Sequence, residues 1–222
     1  MFDKTNQGQW WDFGWKLVEG CTPVSPACKN CWSMAMEKRF RKETGIVFHK
    51  ERLERPFKRK KPASFAIWND LFHESVEFMW IDEVMKVIIN NDQHIFQILT
   101  KRPEIALKYF NTFKYDKEFP PKNLWIGVTC ESEDYIYRIH ELLKILAKIY
   151  FVSFEPILSE IYIPKRMLYQ IDWVIVGPET GTEKRPYKKE WIESLYEQCK
   201  SANVPFLDKK NVLGKNIQQY PT

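Results

Sequence analysis

The sequence predicts an α/β fold built around a mostly parallel sheet, and three observations carry that expectation. Short β-branched apolar runs alternate along the 222 residues with longer amphipathic segments. The runs are hydrophobic on both faces, as a sheet covered by helices requires. Strand, helix, strand at this cadence means βαβ units. With 44% apolar and 28% charged residues the chain can bury a real core, and it reads as a single domain over residues 1–222. Six or seven such strands suit an incomplete barrel or a doubly wound sheet, and periodicity does not choose between them.

Taken in order, the first strand is expected at 14–20 (GWKLVEG), followed by a cysteine-bearing loop at 20–32 and a helix over 29–42. A charge run at 50–62 (KERLERPFKRKKP) comes next, and Pro56 and Pro62 keep it from forming one long helix. It reads either as a solvated connection or as a strip that contacts phosphates beside an active site. Further strands are expected at 64–68, 94–100, 123–129, 149–154, 172–177 and 204–208, the last a seventh strand. Helices are expected near 77–91, 103–111, 132–147 and 187–202, with Ser132 as N-cap of the third and acidic residues in its first turn.

Bulk properties narrow the function classes. No apolar stretch approaches the ~20 residues of a membrane span, and the polar, aromatic start MFDKTNQGQWWDF has no signal-peptide core. A cytoplasmic setting without a membrane partner is therefore expected, where five cysteines read as thiols or metal ligands. A net charge of +5 permits a polyanionic partner without requiring one. Nine tryptophans can fill a wide core or line a pocket that stacks planar ligands. There is no Walker loop and no G-x-G-x-x-G, which argues against a nucleotide-binding hydrolase or transferase on a doubly wound sheet.

Nearly every strand ends in polar, reactive residues: the Cys21 loop, Asn69-Asp70, Thr100-Lys101-Arg102, Thr129-Cys130-Glu131, Ser153 with Glu155, and Glu179. Ligands of barrels and open α/β sheets bind outside the carboxyl ends of the strands. One active-site face would look like this, although turns and caps draw on the same residue types.

The segment 20-GCTPVSPACKNCW-32 brings three thiols, Cys21, Cys28 and Cys31, within eleven residues on a loop stiffened by Pro23 and Pro26. Its C-x-x-C can grip one metal or one cluster. A structural zinc site would need a fourth ligand, and none stands at ribbon or finger spacing. A redox pair would use Cys28 and Cys31 and leave Cys21 idle. A three-cysteine [4Fe–4S] cluster leaves one iron open for a ligand. Cys130 and Cys199 read as ordinary buried thiols.

The motifs GC-x6-C-x2-CW, WNDLFHE, LTKRPE, WIGVTCE, VSFEPI, DWVIVGPETG and VPFLDKK follow one another from about Trp10 to Lys210. In that order they resemble the phage Gp37/Gp68 family (DUF5131), which is similar to radical-SAM proteins of the spore photoproduct lyase type. The resemblance implies a partial (β/α)6 TIM-like barrel, a [4Fe–4S] cluster on Cys21, Cys28 and Cys31, and S-adenosylmethionine on the open iron. Two departures stand out. The usual C-x3-C-x2-C is C-x6-C-x2-C here, with Asn30 rather than an aromatic before the last cysteine. The GGES-like turn reads Gly177-Pro178-Glu179-Thr180.

On that resemblance, Asn69, Asp70, Thr129, Glu131, Ser153 and Glu155 are expected to bind the cofactor. Lys101, Arg102 and Glu179 are the catalytic candidates, with helix caps, turns and salt bridges as the competing roles. His73 is a weaker candidate, and Lys209 and Lys210 could close the barrel mouth. The expected activity is radical chemistry through a 5′-deoxyadenosyl radical, on a nucleic acid base or nucleotide, with an external electron donor and a partner protein from a neighbouring gene. The rival is a zinc-stabilised nucleic-acid-binding module without catalysis.

Overall fold

A computed structural model of the protein describes residues 9–39, 45–112, 120–181 and 183–221. Among the described residues nine strands are formed: β1 Phe13–Trp15, β2 Val18–Glu19, β3 Val47–Phe48, β4 Ser64–Ile67, β5 Ile95–Thr100, β6 Leu124–Thr129, β7 Ile149–Phe154, β8 Trp173–Val176 and β9 Phe206–Asp208. The α-helices are α1 Trp32–Arg39, α2 Phe78–Ile89, α3 Pro103–Thr112, α4 Tyr137–Leu142, α5 Lys165–Leu168 and α6 Lys189–Ser201.

Seven strands pair in the order β1-β4-β5-β6-β7-β8-β9, every pair parallel. Each new strand is added on the same side of the last, with helices in the crossovers. Progress in one direction, with right-handed connections and strand twist, curls a sheet toward closure instead of winding it both ways. The result is a half-barrel, which resolves the choice that periodicity left open.

Alternation along the strands separates two cores. Phe65, Ile67, Ile126, Val128, Val152, Phe154, Val174 and Val176 face the helices and join the larger cluster. Ala66, Trp125, Phe151, Trp173, Ile175 and Leu207, with Trp10, fill the concave side. Gly127 makes room there: a Cβ on it would lie 2.5 Å from the Phe151 ring. The concave face is thus plugged by aromatics toward its base, and polar side chains take over at the carboxyl ends of the strands.

Three expectations need correction. The strand expected at 14–20 is two strands, because the chain breaks at Lys16 and Leu17 and β2 leaves the main sheet to pair antiparallel with β3. The helix expected at 132–147 is a 3-10 turn, Glu133–Tyr135, and then only Tyr137–Leu142. Ser132 is extended and gives no side-chain cap. The tail of that segment unwinds where Tyr150 competes for its backbone: the Tyr150 hydroxyl donates to Ile145 O at 2.6 Å and accepts from Ala147 N at 3.1 Å. The short α5 had no counterpart in the sequence reading, and residues 40–42 of the first expected helix lie outside the described residues.

Candidate functional site

A cleft of about 440 Å³ opens at the carboxyl ends of strands β4 to β9. Cys21, Cys28 and Cys31 all line it. So do Asn69 and Asp70 after β4, Lys101 and Arg102 after β5, Thr129 ending β6, Ser153 in β7, Glu155 after β7, Glu179 after β8, and Lys209 and Lys210 after β9. The strand-end residues singled out in the sequence therefore share one cavity, apart from Cys130 and Glu131.

The cysteine loop begins where β2 ends. Gly20 turns the chain with φ +89°, and a Cβ there would lie 2.9 Å from Gly45 O, so a side chain is excluded on both counts. Pro26–Cys28 form a 3-10 turn, Cys31 N donates to Cys28 O at 3.2 Å, and Cys31 stands immediately before α1.

Two arginine–carboxylate clamps hold the loop. Arg102 is 3% exposed and donates through Nη1 to Asp70 at 3.0 Å, through Nε to Glu74 at 2.7 Å, and through Nη2 to both Thr22 O and Thr22 Oγ1. His73 completes this end. Its Nδ1 accepts from Ser75 N at 3.0 Å, so Nε2 carries the proton toward Thr22 Oγ1 at 2.9 Å, and that hydroxyl in turn donates to Glu74. Burial, and then the Arg102 charge, push the His73 pKa down, which agrees with a neutral ring. At the other end Glu179 accepts from Asn30 Nδ2 at 3.1 Å and from Arg185 N and Nε, and it pairs with Arg185 Nη2. Arg185 Nη1 reaches Pro26 O. One clamp pins the residue after Cys21, and the other pins the turn that carries Cys28 and Cys31.

Asp70 accepts from Phe72 N, Thr100 Oγ1, Lys101 N and Arg102 Nη1, which takes up roughly all four acceptor sites of a carboxylate. Its work is to fix the start of α3 and the Arg102 clamp. Lys101 instead turns its ammonium to Cys28, Nζ to Sγ 3.9 Å. Burial opposes ionisation of Cys28, but Lys101 and hydrogen bonds from Val24 and Ser25 outweigh it, and the thiol lies below its usual value. Cys21 is pushed up by burial and by the Asp70 charge.

Among the described residues, other polar atoms are left over. Asn69, held at φ +63°, accepts from Ser33 Oγ at 3.0 Å while its Nδ2 is buried without a partner. Glu155 pairs with Lys209 through Oε2 while Oε1 is buried and unpartnered. One orphan donor and one orphan acceptor on the cleft wall are what a polar ligand would satisfy. Trp11, Trp32 and Trp68 line the same cleft, with ring centroids 6.5 Å apart for Trp11–Trp68 and 5.3 Å for Trp32–Trp68.

Glu131 stands apart. It is fully buried, bonds Arg138 Nη1 at 2.9 Å, and does not line the cleft, so its charge serves the β6–α4 joint. Cys130 and Cys199 are buried, with their thiol pKa values pushed up by burial, Cys199 to about 12. The sequence reading missed Thr22, Glu74 and Arg185. An Arg six residues after a Gly-Pro-Glu turn was the available signal for the last.

Three thiols on one wall, a neighbouring cation and two orphan polar atoms are a donor set that fits an iron–sulfur cluster with a small polar ligand beside it. The thiols are not gathered into one shell: among the described residues no group of three His, Cys, Asp or Glu side chains is arranged to hold a metal ion. Loading would have to gather the three thiols by a rearrangement within the 21–31 loop.

Over 141 residues the chain is 24% identical to the transcriptional regulatory protein SIN3 of Saccharomyces cerevisiae (strain ATCC 204508 / S288c), a match that covers 55% of this chain. It spans only 9% of that protein's length. No solved structure matches the chain. The description "Protein of unknown function (DUF5131)" matches over residues 5–218, nearly the whole length, and the chain belongs to that family.

Proposed function

We propose that this protein is a radical S-adenosylmethionine enzyme whose Cys21, Cys28 and Cys31 hold a [4Fe–4S] cluster. The observation that carries the reading is the position of the three thiols. They line one cleft at the carboxyl ends of a parallel half-barrel, beside buried polar atoms that have no partner among the described residues. When bound, the cluster would supply the electron that cleaves the sulfonium bond of S-adenosylmethionine, with reducing equivalents from an external donor.

The chain's own contribution is binding, orientation and exclusion of water. The two clamps hold Thr22 and the 26–30 turn, so the thiol-bearing loop is anchored on both flanks. Asn69 Nδ2 is a donor and suits the carboxylate of the methionine moiety, while Glu155 Oε1 is an acceptor and suits its ammonium or a ribose hydroxyl. Thr129 and Ser153 extend that polar wall. Lys101 offsets the negative charge that three thiolates bring. Trp11, Trp32 and Trp68 give flat apolar surface for a planar base and keep solvent from the reacting atoms. A nucleic acid base or nucleotide is the substrate class these surfaces suit.

The test is anaerobic purification with iron and sulfide quantified, then reduction with S-adenosylmethionine and assay for 5′-deoxyadenosine. About four irons per chain are expected for a [4Fe–4S] centre, with product formation lost in Cys28→Ala. A colourless protein that holds one zinc and releases no 5′-deoxyadenosine overturns the reading.

A further inference from the structure

The positive charge of this protein is concentrated in one place. Residues 50–62 hold seven Lys or Arg against two Glu, a net +5 that equals the charge of the whole chain, so the remainder is neutral. This segment is not a loose tail. It forms two 3-10 turns, Lys50–Arg52 and Pro56–Lys58. Trp15 Nε1 donates to Arg52 O at 2.8 Å, Arg52 Nη1 to Lys16 O at 3.0 Å, and Arg55 Nη1 to Gly14 O at 2.6 Å. Pro56 is buried, and its carbonyl oxygen lies 3.1 Å from His94 Nε2. The cations are therefore mounted on a fixed strap along the edge strand β1.

Arg55, Lys58, Arg59, Lys60 and Lys61, with Phe13 and Phe65, line a cleft of about 320 Å³ whose wall contains no acidic side chain. Among the described residues, Arg55, Arg59, Lys60 and Lys61 have no acidic partner, and the Lys58–Glu54 pair is exposed, where such pairs hold weakly. The Arg59 guanidinium lies 4.2 Å from the centroid of the Phe13 ring, which fixes its direction. Phe57, in the middle of the strap, is 55% exposed. Fixed cations interleaved with an exposed aromatic ring are the elements from which sequence-tolerant single-strand binders are made: charge for the phosphates, a flat face for a base.

We propose that this strap is a docking site for single-stranded nucleic acid, separate from the cysteine cleft. The two cavities share no lining residue. Phe13 and Phe65 sit in the first halves of β1 and β4, at the opposite end of those strands from the thiols. The strap anchors a strand; it carries no chemistry and does not depend on what the cysteines hold.

The test uses the full chain without metal and a fluorescein-labelled oligodeoxynucleotide, followed by anisotropy at increasing KCl. Three to five neutralised phosphates give a slope of log K against log salt of about −2 to −3.5. Lys60→Glu/Lys61→Glu is expected to weaken binding about tenfold or more. Lys165→Glu/Arg166→Glu makes the same change in net charge on exposed positions of α5 and should leave affinity nearly unchanged. Phe57→Ala is expected to cost the single strand about fivefold, and a duplex less. Circular dichroism confirms folding of each variant, with Lys60→Gln/Lys61→Gln as the milder pair if the reversal unfolds. Equal losses in the two charge-reversal pairs, no binding by the parent protein, or binding of phosphatidylserine vesicles without the oligonucleotide would each overturn the proposal.

Discussion

Glu179 holds Asn30, the Arg185 backbone and the Arg185 guanidinium at once, so its carboxylate ties the turn after β8 to the cysteine loop. The Arg185 side-chain hydrogen bonds outweigh the cost of burial and bring its pKa down to about 2. A carboxyl depressed in the folded state stabilises the fold above its unfolded value of about 4.3 and loses that contribution as pH falls toward 2. Urea unfolding between pH 5 and pH 2 should therefore show a steep loss of stability in the parent protein and a shallower one in Glu179→Gln. At pH 7 the same variant should be less stable by about 1–3 kcal/mol, the cost of leaving Arg185 without its charged partner. A variant with the parental pH profile would mean the clamp is not formed in solution. Glu179 could be picked from the sequence by its place after a strand, but not its use. The contacts to Asn30 and Pro26 join residues about 150 apart in sequence, and no local pattern encodes them.

Between β6 and α4 a different charge pair decides how the elements meet. Glu131 is 0% exposed and Arg138 is 1% exposed. Arg138 also donates to Thr129 O at 2.8 Å, and its guanidinium lies 4.2 Å from the centroid of the Tyr135 ring. Removing one partner strands a buried charge, which costs about 3–5 kcal/mol, whereas replacing both with apolar residues is often close to neutral. Arg138→Leu should therefore unfold at markedly lower urea than the double variant Glu131→Leu/Arg138→Leu. Equal destabilisation would show that the two side chains are not coupled. The cadence of the chain put Glu131 at a strand end, where the other candidates enter the cleft. It turns away from the cleft to pair with the buried Arg138 of α4. The strands were legible because their apolar runs are local. The split of the first strand was not, since β2 pairs with β3 across some thirty residues of intervening chain.

At the scale of the whole molecule, the cleft draws on the ends of six of the seven strands, β4 to β9, and the cysteine loop is tied to two distant parts of the half-barrel. Arg102 fastens Thr22 to the ends of β4 and β5, and Arg185 fastens the 26–30 turn to the end of β8. A group that gathers the three thiols would then couple the first strands of the sheet to the last. Anything that binds only the folded state raises its stability by mass action. For a chain of this size each kcal/mol moves Tm by about 2–4 °C. Anaerobic reconstitution with iron and sulfide should raise Tm by several degrees, and Cys21→Ala, Cys28→Ala and Cys31→Ala should each abolish the rise. Arg102→Lys, which keeps the charge but loses the fork that grips both Asp70 and Thr22, should retain iron yet show a smaller rise, because the loop then closes on the cluster without pulling on β4 and β5. A full rise in Arg102→Lys would sever the loop from the sheet and leave the clamps with a local role. Zinc producing the rise where iron and sulfide do not would move the site to the structural class, with the half-barrel as its frame.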